Sequence, residues 1–164
     1  MWDEMEKAGV TGIQGVWCHE VGGARLFNVI SIKQQFAGHS RQAAMIASQC
    51  RSGAYIGRYT VVVDEDIDPS NLGDVIWAIS TRTNPDRAIE VIRWTRSSSA
   101  DPALSPDLKE QDHHSTAFYT SKAMIDACWP YEWRKRAYPI AQISDELRSK
   151  ISAKFSDVLA KIVR

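Results

Sequence analysis

The stretch VVVDEDIDPSNLGDVIWAISTR, residues 61–82, passes from a pure apolar run into four carboxylates, a proline and an amphipathic run. The run YTVVV (59–63) has strand length and no polar alternation, as a central strand covered on both faces requires. Asp68-Pro69 fits an N-cap followed by proline at the first helical position, where the missing N–H costs nothing. Leu72, Val75, Ile76 and Ile79 then recur at helical spacing. A turn from strand to helix lies at the carboxyl edge of an α/β sheet, where such folds place ligands.

The acids invite a second reading. Side chains two apart on a strand point the same way, so Asp64 with Asp66, or Asp66 with Asp68, could share one cation. That arrangement would suit a stand-alone metal-dependent transferase built on the Asp64–Asp68 cluster. The structural reading is preferred: Asp68 caps the helix, and another of the acids pairs with Arg82.

Outward from this block the chain alternates β-type and α-type patterns. IQGVWCHE (13–20) and RLFNVISIK (25–33) read as two adjacent antiparallel strands joined through Gly22-Gly23. In GHSRQAAMIASQCRSG, Ser40 is the expected N-cap, Ala44, Ile46 and Ala47 form the stripe, and Gly53 is the expected stop. IEVIRW (89–94) is a short strand, and TRSSSADPALSP after it is a long polar loop. TAFYTSKAMIDACWP (116–130) begins strand-like and is expected to turn helical at Ser121, with Pro130 ending it. At the start, Trp2, Met5 and Val10 mark an amphipathic helix already under way, which fits either a piece of a longer protein or a short native N-terminus. The tail forms the clearest helix: Ile143, Leu147, Ile151, Phe155, Val158 and Ile162 make one stripe, Ser144 caps it, and Asp145 and Glu146 sit at its positive end. The expected fold is α/β, a mixed β-sheet flanked by helices, with a domain over 1–140 and a long C-terminal amphipathic helix over 141–164.

Bulk properties exclude some classes. The 20 Lys and Arg balance the 20 Asp and Glu, so no overall field recruits nucleic acid or an anionic membrane. No apolar run reaches the roughly 20 residues of a bilayer span. Cys18, Cys50 and Cys128 are odd in number and far apart, which suggests free thiols in a reducing cytoplasm. Asp112-His113-His114-Ser115 reads as a surface turn, because neighbours on a strand face opposite ways. Cys18-His19-Glu20 is too close in sequence for in-line proton transfer. SIKQQFAGHSRQ (31–42) offers Lys33, His39 and Arg41 beside a helix start, donors that could meet an anion. None of these forms a complete catalytic set.

Together, GVWC, LFNVISIKQQFAGHSRQA, VVVDEDIDPSNLGDVIWAISTR and SKAMIDACWP resemble, in this order and spacing, the carboxyl-terminal domain of UbiD-type decarboxylases. The resemblance covers roughly residues 9–133. It implies an enzyme that reversibly and non-oxidatively removes CO2 from aromatic, heteroaromatic or α,β-unsaturated acids with prenylated flavin mononucleotide. It further implies that the flavin, a divalent metal, K+ and an Arg-Glu-Glu catalytic set belong to an amino-terminal domain outside this chain. This chain would then be a lid and dimerisation domain, inactive alone, whose last helix reaches a partner subunit in a homodimer or larger homo-oligomer. No catalytic residue or metal ligand falls on it. The resemblance makes Arg51, with Lys33 as a second candidate, a contact to the flavin phosphate. It also brings the loop carrying Ser97, Ser98, Ser99, Asp101 and Leu104 towards the substrate. IDACWP has Cys128 where the family more often has threonine.

Overall fold

The apolar run at 59–64 becomes the middle strand of a five-stranded sheet. In the computed structural model, which describes residues 1–111, 118–133 and 143–156, the chain runs α1 (Trp2–Lys7), β1 (Ile13–Cys18), β2 (Phe27–Ile32), α2 (His39–Gln49), α3 (Arg51–Ile56), β3 (Tyr59–Asp64), α4 (Leu72–Arg82), α5 (Pro85–Ala88), β4 (Ile89–Arg96), α6 (Pro106–Gln111), β5 (Tyr119–Ala127) and α7 (Asp145–Lys154). The strand order is β1-β2-β3-β5-β4. The inner strands β2, β3 and β5 are parallel, and the outer strands β1 and β4 are antiparallel to their neighbours. This is the expected mixed sheet flanked by helices.

Period-2 alternation along β3 sends its side chains into two separate cores. Val62 packs with Met5 of α1, Ala43, Ala44 and Ala47 of α2, and Ile30 and Met124 of the neighbouring strands. Val61 and Val63 pack on the other face with Val29, Val75 and Ala78 of α4, and Ala127. All three valines are fully buried, each worth about 1.5–3 kcal/mol against exposure. Helices therefore cover both faces of β3, which is why its sequence carries no polar alternation.

The carboxylates behind β3 are tied by one guanidinium. Arg82 at the end of α4 donates from Nη1 and Nη2 to the two oxygens of Asp66, at 2.9 and 2.6 Å. Its Nη1 also reaches Asp64 at 3.2 Å. Asp64 accepts two more bonds, from Gln34 Nε2 at 2.8 Å and the Trp129 N–H at 2.7 Å. The Arg82 side chain is fully buried and lies between Trp77 and Trp129, 5.3 and 5.7 Å from the two ring centroids. Burial pulls its pKa down, but the paired Asp66 and Asp64 more than offset this and leave it raised. The expected partnership with Arg82 is present, and it takes in two of the acids.

Several local expectations are corrected. Asn71, not Asp68, caps α4, its side-chain oxygen accepting from the Gly73 N–H at 3.0 Å. The Asp68 carboxylate is used ahead of the helix, closing a turn onto the Ser70 N–H at 2.9 Å. Gly38 takes the N-cap of α2 with φ of 82°, and Ser40 turns inward to donate to Asp126 at 2.7 Å. Gly53 does not stop α2, which ends at Gln49; it lies inside α3, where a β-carbon would overlap the Ala47 carbonyl oxygen. Residues 119–127 remain extended throughout instead of turning helical at Ser121. Pairing with β3 on one side and β4 on the other overrides the local helical pattern. The link between β1 and β2 is longer than a hairpin turn and folds into two short 3-10 turns around Gly23.

Removing the guanidinium leaves Asp64 buried without its counter-charge, and breaking a buried pair from one side costs about 3–5 kcal/mol. Arg82→Met should lower the unfolding free energy by an amount of that order, read as a fall in the urea midpoint. Arg82→Lys should recover less than half, because an ammonium cannot form the two-pronged contact with Asp66.

Candidate functional site

The parallel strands give the sheet two ends. Their carboxyl ends carry Lys33, Gln34, Asp64 and Asp126; their amino ends carry Arg58, Tyr59 and, across the ladder, the exit from β4, since Arg96 pairs with Tyr119.

At the amino end, α3 follows α2 with only Cys50 between them and leads directly into β3. Arg51 opens α3 and is exposed. The neighbouring Ser52 N–H donates to Glu4 at 3.1 Å. That contact, with the Ser52 side chain first, brings the Glu4 carboxyl down to about 2. Behind α3, Lys122 of β5 donates from Nζ to the Gly53 carbonyl at 2.7 Å. Lys122 is 2% exposed, and burial drives its pKa down to about 8, against the pull of Asp101. Arg58 makes an ion pair with Asp101.

Asp101 is fully buried and organises the loop after β4. Its carboxylate accepts from the Ser97 hydroxyl at 2.8 Å and the Ala103 N–H at 3.0 Å, besides Arg58. The Asp101 N–H donates to the Ser98 carbonyl at 3.0 Å. Of the five loop residues named from sequence, Ser97, Ser98 and Asp101 face inward, Ser99 is exposed and Leu104 is half-buried. Beside the loop lies a groove of about 400 Å³ lined by Leu26, Phe27, Arg58, Tyr59, Pro102 and Ala103. The fold thus brings Arg51 and residues 97–104 to one end of the sheet, although about half the chain's strands separate them in sequence.

Lys33 is elsewhere. It follows β2 at the carboxyl end and pairs with Glu65 at 3.7 Å. Its neighbours in the anion-site reading are also engaged: Arg41 pairs with Glu90, and His39 is buried, stacked on Phe36 at 4.3 Å, with Nδ1 accepting from the Gln35 N–H. A cleft of about 340 Å³ opens nearby, lined by Arg41, Arg82, Arg87, Asp126, Trp129 and Trp133 among others. Burial raises the Asp126 carboxyl pKa there. Cys18 and His19 do not pair: the thiol donates to Asn28 at 3.0 Å and the imidazole bonds the Pro69 carbonyl at 2.9 Å. Among the described residues, no group of three or more His, Cys, Asp or Glu is placed to hold a metal ion. Residues 112–115 lie outside the described residues.

Sequence reasoning missed Arg58 and Lys122. Arg58 directly precedes β3, which was its one visible signal; Lys122 sits where alternation in β5 requires an apolar residue. The buried lysine predicts a pH dependence. Its folded pKa of about 8 lies below the ordinary 10.5, so the unfolded chain binds more protons between those values and stability rises with pH across that window. Below about pH 8 the cost of burying the charge is fully present. Urea midpoints taken at pH 7.5 and 10 should show this rise, and Lys122→Met should flatten it.

Comparisons with known proteins place the chain in a family. Residues 1–127 match the family model described as the 3-octaprenyl-4-hydroxybenzoate carboxy-lyase C-terminal domain. A phenolic acid decarboxylase from Escherichia coli O157:H7 is 31% identical over 105 residues, covering 64% of this chain and 20% of the relative. One from Bacillus subtilis (strain 168) is 27% identical, covering 76% and 24%. The apo structure of a 3,4-dihydroxybenzoic acid decarboxylase from Enterobacter cloacae superposes with a TM-score of 0.68 at 26% identity, over 87% of this chain and 29% of that one. The UbiD-class enzyme HmfF from Pelotomaculum thermopropionicum, solved in complex with FMN, shares the fold with a TM-score of 0.70 at 23% identity, over 88% and 29%. The chain spans about a quarter or less of the curated relatives it matches. A family model that covers residues 1–127 leads to one conclusion: the chain belongs to the UbiD carboxy-lyase family, as its C-terminal domain.

Proposed function

We propose that this chain is the lid and dimerisation domain of a cytoplasmic decarboxylase that acts reversibly and without oxidation on aromatic, heteroaromatic or α,β-unsaturated carboxylic acids. Its partner is an amino-terminal flavin-binding domain that holds prenylated FMN, a divalent metal, K+ and the acid–base residues. The observation that carries this reading is the shared edge of the sheet: Arg51 and loop 97–104, which the family resemblance assigns to cofactor and substrate, lie at the same end.

When bound, the prenylated flavin supplies the electron sink. This chain's residues fit one part of that cofactor. Arg51 is exposed at the start of α3 and forms no ion pair with a described residue, so its guanidinium is open to a phosphate. Lys33 is set aside, because it stands at the other end of the sheet beside Glu65. Ser99 and Leu104 are the loop positions open to a substrate, whereas Ser97, Ser98 and Asp101 shape the loop from within. The domain orients and excludes water by closing over the site, and supplies no acid or base. Free thiols at Cys18, Cys50 and Cys128 support a reducing compartment. Among the described residues no helix is long and apolar enough to cross a membrane.

Self-association is assigned to the terminal helix. Ser144 caps α7 with its hydroxyl on the Leu147 N–H at 3.3 Å, as expected. Ile143, Leu147, Ile151 and Phe155 are all exposed, an apolar stripe available to a second subunit. Val158 and Ile162 lie outside the described residues.

Two outcomes are expected. Incubated with prenylated FMN and an aromatic acid, the chain should release no CO2, and adding the flavin-binding half in trans should restore turnover; release by the chain alone overturns the lid reading. In sedimentation equilibrium the chain should run as a dimer or larger, and deletion of residues 143–164 should give a monomer. A species of unchanged order after deletion removes the helix from the interface.

A further inference from the structure

Three charged side chains, Asp101 and Lys122 buried and Arg58 partly so, join the two segments assigned to cofactor and substrate. Arg58 stands at the joint between α3 and β3, Asp101 at the centre of loop 97–104, and Lys122 on β5 behind α3. Neither segment is long enough to hold its own shape. A six-residue helix is well below the length at which helices persist unaided, and the loop is closed by polar contacts to one carboxylate. Their positions therefore come from these anchors.

The anchors depend on one another. Asp101 is attracted to both Arg58 and Lys122, while the two cations repel each other. The groups facing the Lys122 ammonium are Asp101 from the loop, Cys50 from the residue before α3, and Arg58. Neutralising Asp101 would leave the guanidinium and the ammonium facing each other without compensation. The amine would then shed its proton more readily, and a neutral amine holds the Gly53 carbonyl less strongly than a charged one. A change made in the loop is thereby felt in α3.

We propose that Arg58, Asp101 and Lys122 are positioning residues that lock α3 and loop 97–104 into one rigid edge, so that Arg51 and the outward loop positions Ser99 and Leu104 meet their targets together. The lock itself stands on geometry; that it serves cofactor and substrate rests on the function proposed above.

The test is amide hydrogen exchange on the full chain carrying Asp101→Asn, with the Lys122 side chain titrated by NMR in parallel. Exchange should quicken at least fivefold at Ala103 in the loop. It should also quicken at least fivefold at Ala54 and Gly57 in α3, whose N–H groups bond the Cys50 and Gly53 carbonyls. Val62 in the core should be unchanged, and the Lys122 midpoint should move down. Ser97→Ala removes one hydrogen bond from the same carboxylate and keeps every charge, so it should loosen the loop without moving the Lys122 midpoint or α3. If Asp101→Asn does not fold, Arg58→Lys is read in its place; it keeps the charge, removes the Nη2 donor that meets Asp101, and should loosen both segments. Quickened exchange confined to the loop, or an unmoved Lys122 midpoint in Asp101→Asn, overturns the lock. In the enzyme assembled with its flavin-binding half, turnover should fall with joint loosening. Joint loosening with unaltered turnover upholds the lock and overturns the assignment of this edge to the active site.

Discussion

Arg82 satisfies two carboxylates at once, and the rest of the fold is arranged around the fact that it can. It ends α4, so its contacts with Asp64 and Asp66 draw that helix back onto the strand it came from. Asp64 in turn receives Gln34 from the segment after β2 and the Trp129 N–H from the segment after β5. Three parallel strands are thus gathered at one carboxylate. The energetic balance is of a particular kind: an ion pair this deep gains little over a well-packed apolar substitute, yet its loss from one side alone is severe. The two tryptophan rings flank the guanidinium, and of its two partners Asp64 is buried while Asp66 keeps an exposed side.

The cluster that looked most like a metal site is therefore a structural tie at the carboxyl end of the sheet. With the carboxyl ends pinned by Arg82, the amino ends present α3 and the loop after β4. Charge is placed differently at the two ends. At one, two carboxylates meet a cation; at the other, Arg58 pairs with Asp101 while Lys122 donates to the Gly53 carbonyl.

Much of the architecture was legible in the sequence because it rests on local rules. The β-branched run of β3, the stripe on α4 and the Ser144 cap of α7 are each determined by neighbours within a few residues. Two of the corrections involve partners far along the chain, and a third a carbonyl six residues back. Ser40 looks like a cap until Asp126 claims its hydroxyl. Residues 121–127 look helical until two strands pair with them. Gly53 looks like a stop until the Ala47 carbonyl occupies the space a side chain would need. Of the candidate site, the family resemblance supplied Arg51 and the loop. It could not supply Arg58 or Lys122, whose roles come from contacts with residues 43 and 69 positions away. Nor does spacing reveal that Asp101 faces inward: an acid flanked by serines and proline reads as a surface residue until its burial is seen.

The ends of the sheet order have a consequence for a domain of this kind. Outer strands offer unpaired backbone groups to any neighbouring chain, and a sheet with straight borders invites growth by strand addition. Here both borders are broken. β1 slips register between Ile13 and Gly15, and β4 between Ile92 and Thr95, where Trp94 adopts a φ of 60°. Each irregularity bends its strand away from the flat ladder a newcomer would need. Each break in the ladder leaves less straight backbone on which a neighbouring chain could add a strand.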